Sequence, residues 1–470
     1  MSYDEQYRAK VDALGQVKVP KDVYWGAQAQ RTLNNFNIAQ KDLIFPQNFI
    51  RCLAIIKLSA VRANLKLNLI EPSVAHPIIQ ASQEIIDGKM DDQFPVPVFQ
   101  TGSGTQLNMN INEVIANRAN QLLGASLGSK HPVHPNDHVN KGQSSNDVIP
   151  AAMHMALYLE IHNQLEPALN FILETLTLLQ ERFSGLFKCG RTHLQDAAPI
   201  SYAQEIEGWK GQLQLCFQAV KYSKTSLQSL ALGGTAVGTG LNTHCSFAQL
   251  SCENISEVTK LKFYPSDNNF FSLSSHEPIL QQSSNFKLIA TSLHKIANDI
   301  RYLSSGPNAG IGELLLPVNE PGSSAIPGKV NPTQIEALTM IVSQVFGNDH
   351  CISFACSQGQ LQLNAYKPVI IYNALQSCKL LAEGINSFTR HCLSGLQVNL
   401  DRSQSHLEQN LMLVTALVPA IGYDAAVKIA QYAHQHKLTI KQAAKALNII
   451  QIDQFDSLLN LSKMINPCDK

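Results

Sequence analysis

The order of apolar and polar residues along the chain predicts a mainly α-helical protein. Apolar residues recur at three- and four-residue steps in most segments, beginning with Ile50, Leu53 and Ile56, and this spacing places them on one face of a helix. An alternating pattern at Gln16–Val19 predicts a short strand or hairpin, and strand-like patterns are nearly absent afterwards. The long segments predict a central bundle of long helices. The predicted helices begin at Pro46 and continue over Val74–Asp87, Gln106–Leu123, Ala151–Phe183, Gln204–Leu232, Phe286–Leu303, Ile335–Phe346 and Tyr366–Phe388, with shorter helices over Leu411–Leu447.

Composition narrows the class of protein. The 470 residues are 44% apolar and 15% charged, with 36 basic and 36 acidic side chains, so no charge excess favours nucleic acid or a membrane surface as partner. The ten cysteines form no C-x-x-C pair, which favours reduced thiols in a cytoplasmic protein. Met1–Lys10 has no apolar signal-peptide core, and no apolar run is long enough to span a membrane.

The loop Glu320–Asn331 is the strongest candidate for a working centre. Its sequence E-P-G-S-S-A-I-P-G-K-V-N places two hydroxyls, Ser323 and Ser324, and the ammonium of Lys329 before a predicted helix. Asn331 as N-cap, followed by Pro332 and Gln334, predicts a capped helix start. A helix N-terminus favours bound anions, although an ordinary glycine-rich surface loop would also account for this pattern.

Other polar loops lie at or near the ends of predicted helices, namely Phe99–Thr105, His131–His138, Gln143–Asp147, Gly190–Asp196 and Gly233–Gly240. The histidines of the second loop resemble metal ligands, but prolines interrupt the segment and no cysteine or matching ligand group lies near. We therefore expect no metal site there. Asn108, Asn110 and Asn112 are unusual helix residues and predict a polar wall.

The separation of these loops predicts an oligomer. A helix of about 30 residues spans roughly 45 Å, so loops at opposite ends of a bundle meet only between subunits. The neutral donors, the single lysine and the helix N-termini favour a small dianionic substrate. With no dinucleotide fingerprint, P-loop or metal-ligand set in the sequence, we expect acid/base chemistry without a cofactor or metal.

The same loops resemble the signatures of the fumarase/aspartase superfamily, and in combination those of class II fumarate hydratases. The matching segments are Gly322–Pro332, Thr101–Gln106, His134–Asp137, Ser144–Asp147, Gly190–Asp196 and Gly233–His244. The resemblance covers essentially the whole chain. It implies a homotetramer of mostly helical three-domain subunits, each active site being built from three of them. We place the domains at 1–141 (N-terminal, mostly helical), 142–395 (central long-helix bundle) and 396–470 (small, C-terminal, helical).

The resemblance also implies a reaction, the reversible hydration of fumarate to L-malate without metal or cofactor. Ser323 matches the base that removes the C3 proton, His193 the partner acid/base, and Glu336 the carboxylate that supports this histidine. The positions that match substrate-binding residues are Ser103, Gly104, Thr105, Ser144, Ser145, Asn146, Thr192, Ser324, Lys329 and Asn331. His134, Asn136 and Asp137 match a second, non-catalytic dicarboxylate site.

Two departures from the family pattern stand out. His131 occupies a position where the family often has arginine, which places the affinity of the second site in question, and Ile326 replaces the usual methionine. An aspartate ammonia-lyase on the same scaffold is the nearest alternative, but it usually carries glutamine in place of His193. A non-catalytic structural protein is a further alternative, although Ser323, His193 and Lys329 are all present.

Overall fold

The computed structural model describes residues 6–467, without the side chains of residues 452 and 453. Met1–Glu5, where the polar N-terminal stretch begins, lie outside the described residues, as do the last three residues of the predicted C-terminal domain. None of the described helices is both long and apolar enough to cross a membrane. All nine cysteines in this part of the chain are free thiols.

The described chain is mainly helical, which confirms the predicted fold class. Most helices coincide with the periodic segments of the sequence, and their boundaries are as follows: Ala27–Asn35, Gln47–Lys66, Pro72–Ile86, Thr105–Leu122, Ser145–Glu160, Glu166–Arg182, Tyr202–Ser223, Phe247–Thr259, Asn269–Ser274, Glu277–Leu303, Thr333–Cys356, Lys367–Phe388, Leu400–Gln409, Val418–Ile421, Tyr423–His436, Ile440–Ala446, Ile452–Leu458 and Leu461–Met464.

Four predicted helix boundaries need correction. The helix predicted to start at Phe286 begins at Glu277, and the one predicted to end at Phe346 continues to Cys356. The helix predicted to start at Ala151 begins at Ser145, and a π-helical turn, Ile161–Leu165, lies immediately before Pro167. Proline has no N–H to donate to the preceding turn, so a local change of hydrogen-bond register is expected there. The helix predicted to end at Leu232 ends at Ser223 and is followed by 3₁₀ and loop structure.

Strands form only small two-stranded sheets in the described part of the chain. The predicted N-terminal element is an antiparallel hairpin, Tyr7–Asp12 with Gly15–Pro20. A second hairpin, Phe187–Thr192 with Gln195–Ser201, lies where the sequence predicted only a turn between helices. Its first strand contains a glycine and few apolar residues, so it carries little alternation. The remaining pairs are Ser229–Leu230 with Tyr264–Pro265, Leu314–Leu315 with Gln397–Val398, and Gly359–Gln360 with Leu363–Asn364.

The chain divides into two compact units. Unit 1 comprises residues 1–166, 218–288 and 343–381, and unit 2 comprises residues 167–217, 289–342 and 382–470. The helix Gln47–Lys66 is central to the core of unit 1, where Phe49, Leu53 and Ile56 are fully buried. In unit 2, Trp209 is buried and its indole N–H donates to Asp299 at 2.8 Å. The three-domain division expected from the sequence stays a prediction.

Candidate active site

Two helix N-termini in unit 1 carry a joined set of hydroxyl groups. Thr105 opens the helix Thr105–Leu122, and Ser145 opens the helix Ser145–Glu160. The Thr105 hydroxyl lies 2.7 Å from the hydroxyl of Ser103 and 2.7 Å from that of Ser145. The structure therefore brings together three of the residues predicted to bind substrate. Because the first N–H groups of both helices lack intrahelical partners, the cluster suits an anion.

Close backbone packing explains the glycines of the first loop. Gly104 has a φ of 75° and directly precedes the helix. A Cβ on Gly102 would lie 1.4 Å from the carbonyl oxygen of Ala365, and the carbonyl of Gly102 accepts the N–H of Lys367 at 3.0 Å. The loop is thus fixed against the segment Asn364–Lys367, and this close approach requires glycine.

Ser144 and Asp147 form a capping box at the start of the second helix. The Ser144 hydroxyl accepts the N–H of Asn146 at 3.2 Å, and one Asp147 oxygen accepts the N–H of Ser144 at 2.9 Å. The other Asp147 oxygen accepts the N–H groups of Gly233 and Thr235 at 3.1 and 2.9 Å. Asp147 therefore binds the glycine-rich Gly233–Gly240 loop to this helix start, a role that capping statistics alone did not predict.

Asn146 is held by the same loop, since its side-chain amide donates to the carbonyl of Ala236 at 2.8 Å. Burial raises the pKa of Asp147 to about 6, although its N–H partners and the charge of Lys57 favour the ionised form. Of the substrate-binding candidates, Ser144 thus bonds directly to this buried carboxylate, and Asn146 bonds to the loop that the carboxylate holds.

A buried lysine, Lys57, contacts the residues that precede Ser144 and was not predicted from the sequence. Lys57 is fully buried, and its ammonium donates to Asn140 at 2.9 Å and to Gln143 at 3.0 Å. Burial lowers the pKa of Lys57 to about 7. Asn108 and Asn112 also donate to Asn140, each at 3.2 Å. Two of the three asparagines of the predicted polar wall therefore support Asn140 inside the unit, whereas Asn110 donates to the carbonyl of Gln93 at 3.1 Å.

Thr192 and His193 lie at the tip of the second hairpin, in unit 2. Thr192 pairs with Gln195, so His193 and Leu194 form a two-residue turn, with φ values of 57° and 60°. Both values lie in the left-handed region that hairpin turns of this type require, and Asn and Gly are the residues that usually occupy it. Thr192 and His193 are exposed. The hairpin therefore presents the imidazole to its surroundings at an energetic cost to the backbone.

The loop Glu320–Asn331 is also in unit 2 and is held by its own contacts. The N–H of Gly322 donates to the carbonyl of Lys329 at 3.0 Å, and the side-chain amide of Asn331 donates to the carbonyl of Gly322. The Ser323 hydroxyl accepts the N–H groups of Ala325 and Ile326 at 3.2 and 3.0 Å. Hydrogen bonds of this kind favour an ionised hydroxyl. A cavity of about 440 Å³ lies beside the loop and is lined by residues that include Ser323 and Lys329.

The capping arrangement predicted for the next helix is wrong. The helix begins at Thr333. The Asn331 amide is a donor to Gly322, and the Gln334 side chain accepts the hydroxyl of Ser387 at 2.7 Å. Glu336 lies in the first turn, 3.7 Å from Arg301. Among the contacts described within the chain, none joins Glu336 to His193, so the support that it was expected to give this histidine stays a prediction.

The residues expected to form a second dicarboxylate site are grouped in unit 1. The Nδ1 atom of His134 accepts the N–H groups of Asn136 and Asp137 at 3.3 and 3.2 Å. The same nitrogen lies 3.2 Å from the Asp137 carboxylate. The side chain of His134 therefore caps the turn that contains Asn136 and Asp137. A cavity of about 420 Å³ adjoins His134 and Asn136, and Lys10 and Lys130 also line it.

Within the described residues, no group of three or more His, Cys, Asp or Glu side chains is arranged to hold a metal ion.

Two family models and several curated relatives match this chain. A family model described as "Lyase" matches residues 15–347, and one described as "Fumarase C C-terminus" matches residues 413–466. The chain is 50% identical over 462 residues to a class II fumarate hydratase of Thermus thermophilus, covering 98% of this chain and 99% of the relative. The corresponding protein of Rickettsia felis is 48% identical over 461 residues, which is 98% of this chain and 100% of the relative.

Solved structures give the same assignment. The crystal structure of class II fumarase from Schistosoma mansoni superposes with a TM-score of 0.95 at 41% identity, covering 97% of this chain and 99% of that one. A fumarate lyase:delta crystallin from Brucella melitensis, bound to cobalt, gives a TM-score of 0.94 at 37% identity, covering 98% of this chain and 100% of that one. Because its relatives are about 50% identical over nearly its whole length, this chain belongs to the class II fumarate hydratase family of lyases.

Proposed function

We propose that the protein catalyses the reversible hydration of fumarate to L-malate. The observation that carries the proposal is the hydroxyl cluster Ser103–Thr105–Ser145 at two helix N-termini. Such a cluster offers several neutral donors and two partial positive charges to a carboxylate. A substrate with two carboxylates needs a second anchor, and Lys329 beside the Ser323 loop supplies a cation for it.

Substrate binding is assigned to residues at the helix N-termini, in the histidine hairpin and in the serine loop. The residues that we assign to it are Ser103, Gly104, Thr105, Ser144, Ser145, Asn146, Thr192, Ser324, Lys329 and Asn331. The backbone of Gly104 belongs to the set because its left-handed conformation aligns the start of the helix. Asn146 and Ser144 are held by hydrogen bonds that involve Asp147 and the loop that it binds. Because their side chains are already oriented, little conformational entropy is lost when substrate binds.

In the direction from malate to fumarate, the Ser323 alkoxide takes the C3 proton and leaves an electron pair that the adjacent carboxylate accommodates as a second negative charge. The N–H groups of Ala325 and Ile326 that point at this oxygen stabilise the alkoxide before the reaction. The C2 hydroxyl then departs with a proton from His193 as water, and the C2–C3 double bond forms. Glu336 is assigned to support His193. Lys329 stabilises the extra negative charge, which appears only after proton removal.

We propose a homotetramer in which several subunits contribute to each site. Large apolar side chains are exposed on three long helices of the chain, namely Leu178, Leu215, Met340 and Phe354. We expect neighbouring subunits to cover these side chains in the tetramer. We also place the protein in the cytoplasm and retain 1–141, 142–395 and 396–470 as its domains. Light scattering that gave an active monomer would refute the shared site.

His134, Asn136 and Asp137 are proposed as a second, non-catalytic dicarboxylate site. The His134 ring binds the backbone N–H groups of Asn136 and Asp137 in the described arrangement, and an anion would have to compete for them. Lys10 and Lys130 line the adjoining cavity and provide positive charge, while His131 stands where the family often has arginine.

The experiment is a turnover assay that follows fumarate absorbance with malate or aspartate as substrate. We expect malate alone to be converted, and conversion of aspartate alone would refute the proposal in favour of an ammonia-lyase. Ser323→Ala should abolish turnover and leave the oligomer intact. Ser184→Ala, at an exposed serine of the same unit, is the matched control and should retain full activity.

A further inference from the structure

A buried carboxylate lies beneath the histidine hairpin and has no role in the proposed chemistry. Glu313 is fully buried in unit 2. One of its oxygens accepts Arg191 Nη2 at 2.7 Å and lies 2.8 Å from His406 Nδ1. The other accepts Arg191 Nη1 at 3.0 Å and lies 3.7 Å from the ammonium of Lys188. Both oxygens are therefore engaged by cationic or titratable side chains, and Arg191 binds in the two-pronged geometry that fixes orientation best.

The backbone of Glu313 is equally constrained. Its N–H donates to the carbonyl of Leu303 at 2.8 Å, and its carbonyl accepts the N–H of Asn399 at 2.9 Å. The Tyr202 hydroxyl lies 3.4 Å from the same carbonyl and 2.7 Å from the hydroxyl of Ser403. The carboxylate thus projects from a fixed point that joins several elements of unit 2.

The charges around Glu313 keep it ionised. Burial alone would raise the pKa of Glu313, but hydrogen bonds from Arg191 and His406, together with the charge of Lys188, hold it below its ordinary value. Lys188 is itself paired with Glu205 at 2.9 Å, and Asp196 lies 3.9 Å from Arg191. If the Glu313 charge is removed, Lys188 therefore keeps Glu205 as its partner, whereas Arg191 loses its main one.

Arg191 is the residue through which this network reaches the site. It directly precedes Thr192 and His193, and it pairs with Asp196 across the hairpin. The strand register shifts between Cys189 and Arg191, and such irregularities redirect a strand. Because the tip beyond Arg191 is exposed and contains two residues in strained backbone conformations, its direction depends on what holds the strand below it.

We infer that Glu313 is a positioning residue for His193: by clamping Arg191 it fixes the direction in which the hairpin tip presents the imidazole. The inference rests on the proposed function, because it assigns Glu313 a part in the step that His193 performs. Glu313 touches no substrate in this scheme, and its effect passes entirely through Arg191 and the turn.

The test is a double-mutant cycle in the malate assay, with wild-type turnover as the baseline that the proposed function requires. Glu313→Gln keeps the shape of the side chain and removes its charge. We expect kcat to fall by about 100-fold, the loss expected for a misplacement of about 1 Å, with KM changed by less than about threefold. In a His193→Gln background the same substitution should cause little further loss, because its effect requires the imidazole.

The matched control is Glu84→Gln. Glu84 pairs with Arg118 within unit 1, through two hydrogen bonds of 2.6 and 2.9 Å. Its loss should leave kcat and KM unchanged. A Glu313→Gln enzyme with wild-type kcat, or an equal further loss of kcat in the His193→Gln background, would overturn the inference. If Glu313→Gln does not assemble, Arg191→Lys takes its place in the cycle with the same expectation, and an unchanged kcat there is equally decisive.

Absence of wild-type turnover on malate would instead count against the proposed function. Hydrogen exchange of peptides covering 187–201 then still tests the clamp itself, because faster exchange is expected in Glu313→Gln than in Glu84→Gln. Equal exchange in the two variants would overturn it.

Discussion

Replacing Asp147 with alanine should free the Gly233–Gly240 loop from the helix that carries Ser144 and Asn146. Two N–H groups of this loop, on Gly233 and Thr235, donate to one carboxylate oxygen at 3.1 and 2.9 Å. A hydrogen bond to a charged group contributes about 1.5–3 kcal/mol, so the pair contributes about 3 kcal/mol at the lower bound. At 1.4 kcal/mol per factor of ten, local opening of the loop should become about 100-fold more frequent.

Hydrogen–deuterium exchange measured on peptides covering 230–240 is the suitable assay, because it reports local opening. We expect exchange in this segment to accelerate by about two orders of magnitude in Asp147→Ala, while peptides covering the Phe187–Ser201 hairpin are unchanged. The control is Asp349→Ala. Asp349 is also a buried acceptor in unit 1, but its partners are the side chains of Ser283 and Lys287.

Exchange of 230–240 that remained at the wild-type rate in Asp147→Ala would refute the reasoning, since the two hydrogen bonds would then contribute nothing to loop stability. Equal acceleration in Asp349→Ala would refute it as well, because the effect would reflect general loosening of the unit.

Three further predictions concern pH and packing. The folded-state pKa of Asp147 lies near 6, above the ordinary 3.8, so its contribution to stability is present below pH 3.8 and lost as the pH rises through 6. The thermal midpoint of wild type should therefore fall relative to that of Asp147→Asn over this pH window. A difference between the two midpoints that does not change with pH would contradict the prediction. The folded-state pKa of Lys57 is lowered from 10.5 to about 7, so the free-energy penalty for burying its charge is complete below pH 7 and is relieved between pH 7 and 10.5. Over that range the free energy of unfolding of wild type should rise by up to about 5 kcal/mol relative to that of Lys57→Met. Denaturation at each pH measures this difference. Gly102→Ala should raise KM at least about tenfold, because the added Cβ would overlap the Ala365 carbonyl. The control is Gly208→Ala, at a helical position with open space around it. This variant should keep kinetics and stability near those of wild type.

The helices and the chemistry-bearing loops could be predicted from the sequence because both leave local signals. The helical period is visible within a single segment, as at Ile50–Ile56. The serine loop and the T-G-S-G-T loop are recognisable from their glycines and hydroxyls, and the structure places both beside helix starts. The hydroxyl contact between Thr105 and Ser145 joins the T-G-S-G-T loop to the Gln143–Asp147 loop, and whether the serine loop shares their site stays a prediction.

The supporting groups were not predicted because their partners are distant in sequence. Asp147 bonds to residues 86 and 88 positions away, and Arg191 to Glu313 at a separation of 122. Lys57 did leave a signal, since a lysine between Ile56 and Leu58 stands in a wholly apolar helix segment. Only the folded chain reveals that neutral amides surround its ammonium.

The left-handed turn at His193 and Leu194 means that local backbone energy and chemistry oppose each other at the hairpin tip. An L-residue other than Asn or Gly costs roughly 1–2 kcal/mol in this conformation, so an Asn-Gly tip would be more heat-resistant than the natural one. The imidazole is also the group proposed to deliver the proton to the departing hydroxyl. A selection for thermal stability alone should therefore enrich substitutions at His193 and Leu194, and its most stable variants should be inactive.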